Sequence, residues 1–225
     1  MLKVRHFSSR RRLEAAAVRL LADTARAPVR AKHPTAIMLS GGRTPLPVFA
    51  RLATGHTRPA AGLRVLFSDE RMVSPHSPES NYGQARRLLS AWRLAPGRIL
   101  RVHTHLSPAA AAARYDRELR AFLRRGGRVT LGLLGLGTDG HTASLFSTAD
   151  VRRAGRRLAL ATRHPAGGPR RVSVGPALLA QTERIVMLAP GAEKREVIRR
   201  LLIHPARTAA GRALRGHPCV EIWTA

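Results

Sequence analysis

Leu131-Gly132-Leu133-Leu134-Gly135-Leu136-Gly137-Thr138-Asp139-Gly140-His141-Thr142-Ala143-Ser144-Leu145 is the stretch around which the chain is organised. Residues 129–134 read as a buried strand. The run breaks on glycines, presents Asp139 and His141, and passes into a segment of helical character. A buried strand that delivers polar groups at its C-terminal end is how open α/β sheets build binding sites.

The elements on either side fit that architecture. Residues 9–26 predict an amphipathic helix, with Leu13, Ala17, Leu20 and Leu21 at helical spacing and Pro28 beyond its end. Residues 35–39 predict a strand that runs straight into Ser40-Gly41-Gly42-Arg43-Thr44-Pro45 and a helix over 46–53, with Thr44 as N-cap and Pro45 at the first helical position. A second strand, 63–67, ends in Ser68-Asp69-Glu70-Arg71; Ser80 or Asn81 then caps a helix over 82–90. A short strand over 99–102 and a helix over 108–125, ended by Gly126-Gly127, lead to the central strand. The chain after Ser147 is less regular: strands at 157–162 and 170–174 flank the loop from His164 to Pro169, and a helical turn at 176–180 follows. A strand at 184–189, a helix at 192–203 carrying Lys194, and a final edge strand at 219–223 complete it. There is no internal repeat and no interdomain linker, so residues 1–225 are read as one α/β domain with a largely parallel sheet.

Composition narrows the class. Apolar content of 44% supports a packed core, and 4% aromatic residues make that core aliphatic and supply few base-stacking platforms. The net charge is +27, with Lys only at positions 3, 32 and 194, so nearly all of it is Arg. Such charge suits a nucleic acid or an anionic surface. The Arg residues are scattered in pairs along the chain rather than gathered in a tail, which favours solvated faces and the steering of a small anion. Cys219 is the only cysteine, which excludes an intramolecular disulfide and suits a reducing compartment; a cytoplasmic protein is expected. No apolar run approaches the roughly 18 residues of a membrane span.

Polar chemistry collects at the strand ends. At Ser40-Gly41-Gly42, glycines before a helix let backbone N–H groups approach an anion, although a ligand-free tight turn has the same sequence. Asp69 and Arg71, Asp139 and His141, and Arg171 and Lys194 add carboxylates, cations and an imidazole. A Lys near a helix N-terminus opposes the helix dipole, so Lys194 points to an anion beside it. The spacing at Gly135-Leu136-Gly137 does not match a dinucleotide fingerprint. This inventory suits a phosphorylated small molecule undergoing acid–base chemistry.

The motifs as a set resemble the glucosamine-6-phosphate isomerase/6-phosphogluconolactonase family. They are Ser40-Gly41-Gly42-x-Thr44-Pro45, Ser68-Asp69-Glu70-Arg71-x-Val73, Ser80-Asn81-Tyr82-Gly83, Gly135-x-Gly137-x-Asp139-Gly140-His141-Thr142-Ala143-Ser144-Leu145-Phe146, Arg171-Val172-Ser173 and Gly191-x-x-Lys194, in the family's order. The resemblance implies a three-layer, Rossmann-like fold of NagB/RpiA/CoA transferase-like type, with a mostly parallel sheet and helices on both faces. It implies hydrolysis of 6-phospho-D-glucono-1,5-lactone to 6-phospho-D-gluconate in the oxidative pentose phosphate pathway, without metal or organic cofactor. By the same resemblance His141 is the general base that activates water, Asp139 orients it, and Arg71 contacts the sugar-acid end. The phosphate lies against Ser40, Gly41 and Gly42 with Arg171 and Lys194 neutralising it, and Thr44 and Asp69 complete the binding set. The expected partner is the sugar-phosphate lactone; no membrane and no nucleic acid is expected, and the chain is read as a monomer or homodimer.

Two alternatives stay open. A glucosamine-6-phosphate deaminase or sugar-phosphate isomerase would need a carboxylate a few residues after its His, whereas positions 142–149 hold none before Asp150. A basic nucleic-acid-binding protein with a vestigial site is the other. The chain departs from the family at Ser147, where Pro is usual and Ser is expected to loosen the turn, and at a C-terminus that keeps Trp223 without a family-like acidic neighbour.

Overall fold

The strand that begins the central motif is the middle of a seven-stranded sheet, and the alternation of its neighbours' side chains makes the three layers. In the computed structural model, which describes residues 2–27 and 33–225, the elements run β1 (Leu2–His6), α1 (Arg10–Arg26), β2 (Thr35–Leu39), α2 (Leu46–Thr54), β3 (Arg64–Phe67), β4 (Asp69–Arg71), α3 (Asn81–Ala91), β5 (Ile99–Leu100), α4 (Pro108–Arg124), β6 (Arg128–Gly135), α5 (Thr148–Ala154), β7 (Ala159–Thr162), β8 (Arg171–Val174), α6 (Pro176–Leu179), β9 (Ile185–Leu188), α7 (Arg195–Ile203), α8 (Ala209–Ala213) and β10 (Val220–Thr224). The large sheet has the order β1-β10-β9-β6-β2-β3-β5, and every pairing in it is parallel.

Parallel strands covered on both faces read as unbroken apolar runs, and each residue then chooses a face by parity. Ala36, Met38, Leu66, Ile185 and Met187 face one core, shared with Tyr115 and Leu119 of α4 and Val197 and Leu201 of α7. Ile37, Leu39, Val65, Phe67, Val186 and Leu188 face the other, shared with Leu13 and Leu21 of α1, Phe49 of α2 and Leu88 of α3. Because β5 is only two residues long, Phe67 has no strand partner on that side. The Tyr115 hydroxyl takes its place, accepting from Phe67 N (3.0 Å) and donating to Phe67 O (2.7 Å).

The mostly parallel α/β expectation holds, with several local corrections. Asp69–Arg71 is not the loop end of a strand but a strand itself: β4, β8 and β7 form a second, antiparallel sheet. Its polar sequence hides it, because Asp69 and Glu70 are buried against hydrogen-bond donors rather than apolar neighbours. The final strand is not at an edge, since β10 pairs with β9 on one side and β1 on the other. The edge is β1, whose residues after Leu2 are all exposed and carry no apolar alternation to read. No helix follows His141 directly. Thr44 does not cap α2; Pro45 holds the cap position with no side-chain bond. Lys194 closes a 3-10 turn, Ala192–Lys194, and α7 starts after it. Pro28, read as a helix stop, lies outside the described residues.

Ser147 does the opposite of loosening its turn. It caps α5 in a reciprocal box with Asp150: Ser147 Oγ accepts from Asp150 N (3.1 Å), and the Asp150 carboxylate accepts from Ser147 N (3.1 Å) and Phe146 N (3.2 Å). The Ser-x-x-Asp spacing was the available signal for this helix. Ser147→Ala is expected to destabilise the protein by about 1 kcal/mol, read as a lower urea midpoint with unchanged slope.

Candidate active site

The C-terminal ends of β2, β3 and β6, adjacent in the sheet, deliver Ser40–Gly42, Ser68–Asp69 and Gly135–His141 to one place, and the β4–β8 ladder closes it from the side. The resulting cleft of about 310 Å³ is lined by Ser40, Gly41, Gly42, Thr44, Asp69, Arg71, His141 and Arg171, and also by Asn81, Phe146 and His164. Asp139 and Lys194, the remaining residues proposed from sequence, do not line it: Asp139 pairs with His141 and Lys194 bonds the carbonyl of Leu136.

His141 is held by a tight turn, with Gly137 N donating to His141 O (2.9 Å) and Gly140 in a left-handed conformation (φ 94°). Asp139 Oδ1 accepts from His141 N (3.1 Å) and pairs with His141 Nδ1 (2.6 Å). That pairing assigns the ring proton to Nδ1 and leaves the Nε2 lone pair free. A Cβ at Gly137 would overlap both the imidazole and the Asp139 carboxylate, so only glycine admits this pair. Burial pushes the Asp139 carboxyl up, but the charge His141 carries when its ring is protonated, together with the hydrogen bonds from its backbone and Nδ1, outweighs it and holds the group below its usual 3.8. A depressed carboxylate keeps its contribution above the unfolded-state pKa and loses it only as the pH falls through the folded value. The pairing therefore survives throughout the neutral range. Lys194 Nζ donates to Leu136 O (2.7 Å) and an Arg200 nitrogen to Thr138 O (2.9 Å), so two cations brace the loop's carbonyls. The imidazole packs on Phe146 (ring centroids 5.0 Å), whose other contacts are His164 (4.7 Å) and the Arg171 guanidinium (5.9 Å).

Asp69 reaches the cleft with both oxygens engaged: Oδ1 accepts from Ser68 Oγ (2.9 Å) and Oδ2 from Ser144 Oγ (2.6 Å). Ser68 Oγ also bonds Ser40 Oγ (2.6 Å), so one hydrogen-bonded chain ties the ends of β2 and β3 and the start of β4 to the histidine loop. In the Ser40–Gly42 turn, Ser40 N continues the sheet to Leu133 O (3.1 Å) and Gly42 N donates to Gln84 Oε1 (2.8 Å).

Arg71 and Arg171 are directly opposite each other in the β4–β8 ladder. Like charges in that position repel. The Nε of each is buried without a hydrogen-bond partner, and no acidic side chain forms an ion pair with either among the described residues. Burial, and next the charge of Arg71, push Arg171 below the usual guanidinium range. Two neighbouring guanidiniums, each with an unused Nε–H, offer the charge and donors that bidentate recognition of an anion uses. Among the described residues no group of three His, Cys, Asp or Glu is placed to hold a metal ion, and no helix is long and apolar enough to cross a membrane.

Glu70 is a residue whose task the sequence did not disclose. It is 2% exposed, and its carboxylate accepts from Arg71 N (2.8 Å), Asn81 N (2.7 Å), Tyr82 N (2.8 Å) and Ser80 Oγ (3.0 Å). It thus binds the start of α3 to β4. Burial raises its pKa against those backbone bonds. Glu70→Gln places an amide N–H₂ against donors and is expected to cost about 2–4 kcal/mol, measured by urea denaturation. Asn81, Phe146 and His164 also escaped notice as cleft residues. Asn81 read as a cap, Phe146 only as the apolar end of the histidine motif, and His164 as loop, and nothing local marks where a loop folds back.

A family model described as glucosamine-6-phosphate isomerases/6-phosphogluconolactonase matches residues 8–220. The chain is 36% identical over 178 residues to a 6-phosphogluconolactonase of Aggregatibacter actinomycetemcomitans, covering 77% of this chain and 76% of that one. It is 35% identical, over the same shares, to the 6-phosphogluconolactonase of Haemophilus influenzae. Among solved structures, 6-phosphogluconolactonase from Trypanosoma cruzi superposes with a TM-score of 0.84 at 26% identity, over 100% of this chain and 94% of that one.

Proposed function

The chain belongs to the glucosamine-6-phosphate isomerase/6-phosphogluconolactonase family, and from that premise we propose that it hydrolyses 6-phospho-D-glucono-1,5-lactone to 6-phospho-D-gluconate, with His141 as general base. The observation that carries this reading is one cleft holding a carboxylate-oriented imidazole and two guanidiniums that no carboxylate among the described residues pairs and whose Nε–H groups are buried without a partner, although Arg71 also donates to the Glu79 carbonyl. His141 Nε2 takes a proton from water as its oxygen bonds to the lactone C1, and Asp139 stabilises the imidazolium through Nδ1–H. The tetrahedral oxyanion collapses, the bond from C1 to the ring oxygen breaks, and Nε2–H returns the proton to the leaving oxygen. Arg71 and Arg171 together take the phosphate in this scheme, while Lys194 acts through the Leu136 carbonyl. The surplus of 40 Lys and Arg over 13 Asp and Glu draws the phosphorylated substrate in. We place the activity in the cytoplasm, in keeping with the single free Cys219.

The deaminase alternative is disfavoured by Asp150, the first carboxylate after His141, which is fully engaged by the Phe146 and Ser147 amides and by Arg153 (3.0 Å). Acceleration of 6-phosphogluconolactone hydrolysis above its spontaneous background tests the proposal. Ammonia release from glucosamine-6-phosphate, with no lactone acceleration, would replace it by the alternative.

A further inference from the structure

The polar atoms left without partners in the cleft are not all donors. Asn81 is 1% exposed and its Oδ1 is buried with no hydrogen-bond partner. Its orientation is fixed, because Nδ2 donates to the Asp69 carbonyl (2.7 Å) and its own backbone N–H is held by Glu70 (2.7 Å). With Nδ2 so engaged, Oδ1 is the atom turned to Gly41: a Cβ on that glycine would overlap it. Asn81 and Gly41 both line the cleft.

An unsatisfied buried acceptor costs about 1–3 kcal/mol, so its persistence at a binding surface calls for a donor in the ligand. A phosphate or a lactone carbonyl cannot serve, since both present only acceptors, and these are the groups that Arg71, Arg171 and the backbone amides would hold. We propose that Asn81 is a specificity-determining residue whose Oδ1 accepts a hydrogen bond from a ring hydroxyl of the substrate. The guanidiniums hold the anionic end, the imidazole serves the carbonyl end, and Asn81 reads the hydroxylated edge between them. Gly41 is required because a side chain there would fill the space Oδ1 occupies. The inference rests on the lactonase reading above and concerns the recognition of its substrate.

The test compares the wild type with Asn81→Ala and Asn81→Ser on 6-phosphogluconolactone and its 2-, 3- and 4-deoxy analogues, each as kcat/KM. Hydrolysis of the parent lactone by the wild type checks the underlying reading separately. One deoxy analogue is expected to lose about 10²-fold in the wild type, and that loss is expected to shrink to within about three-fold in the variants, whose remaining activity falls mainly on the parent. Wild-type rates on all three analogues within about three-fold of the parent overturn the proposal, as does a discrimination that persists unchanged in Asn81→Ala or Asn81→Ser. Should loss of the Nδ2 bond to Asp69 unfold both variants, Gly41→Ala displaces Oδ1 while leaving Asn81 in the chain, and the same collapse of discrimination is expected.

Discussion

His141→Ala is expected to lower kcat on 6-phosphogluconolactone by about 10²–10⁴-fold while leaving the urea unfolding midpoint close to wild type. The imidazole's protein contacts are the Asp139 carboxylate and the Phe146 ring, and the side chain is not part of either apolar core. Its removal leaves the Arg71–Arg171 pair and the strand ends in place, so KM should move far less than kcat. Asp139→Asn separates the two functions of the pair. An amide opposite Nδ1 no longer fixes the proton there, so the ring is free to turn the wrong nitrogen to water, and kcat should fall with the histidine still present. A variant lacking His141 that turns over at the wild-type rate above background removes the imidazole from the chemistry altogether.

The fold could be read from the sequence wherever burial alone decides the residue. β2, β3, β6 and β9 are apolar on both faces, and each was placed to within a residue or two. The elements that escaped are those stabilised by hydrogen bonds or by solvent. β1 pairs through its backbone while its side chains after Leu2 stay exposed, and β4 buries Asp69 and Glu70 against donors that are remote in sequence, Ser144 and Asn81–Tyr82. The site shows the same division. Gly-Gly turns and a lone histidine after a strand are local signals. The pairing of Arg71 with Arg171 is a consequence of ladder register between segments a hundred residues apart, which no local pattern encodes. Lys194 shows the limit of a local inference: its position near a helix start points to an anion, whereas the contact its Nζ makes in the fold is with the Leu136 carbonyl, 58 residues away in sequence.

That Arg71–Arg171 register yields the second large effect, and one with a sign that separates binding from architecture. Arg171→Met is expected to lower kcat/KM on the phosphorylated lactone by about 10²–10³-fold, the equivalent of one or two charge-assisted hydrogen bonds at about 1.5–3 kcal/mol each, chiefly through KM. Turnover of unphosphorylated glucono-1,5-lactone should change little, because the guanidinium then has no dianion to meet. Stability is expected to move the other way. Arg171 is partly desolvated, faces Arg71 across the ladder, and has an Nε with no acceptor; replacing such a charge with an apolar chain of similar length relieves repulsion and is expected to be neutral or to stabilise by about 1 kcal/mol. A guanidinium that merely supported the β4–β8 sheet would give the reverse: a lower urea midpoint, with phosphorylated and unphosphorylated lactones affected alike. Loss of phosphate discrimination together with an unchanged or raised midpoint is what a site prepared for a dianion requires, since the repulsion present in the free protein is the interaction that the bound phosphate converts into affinity.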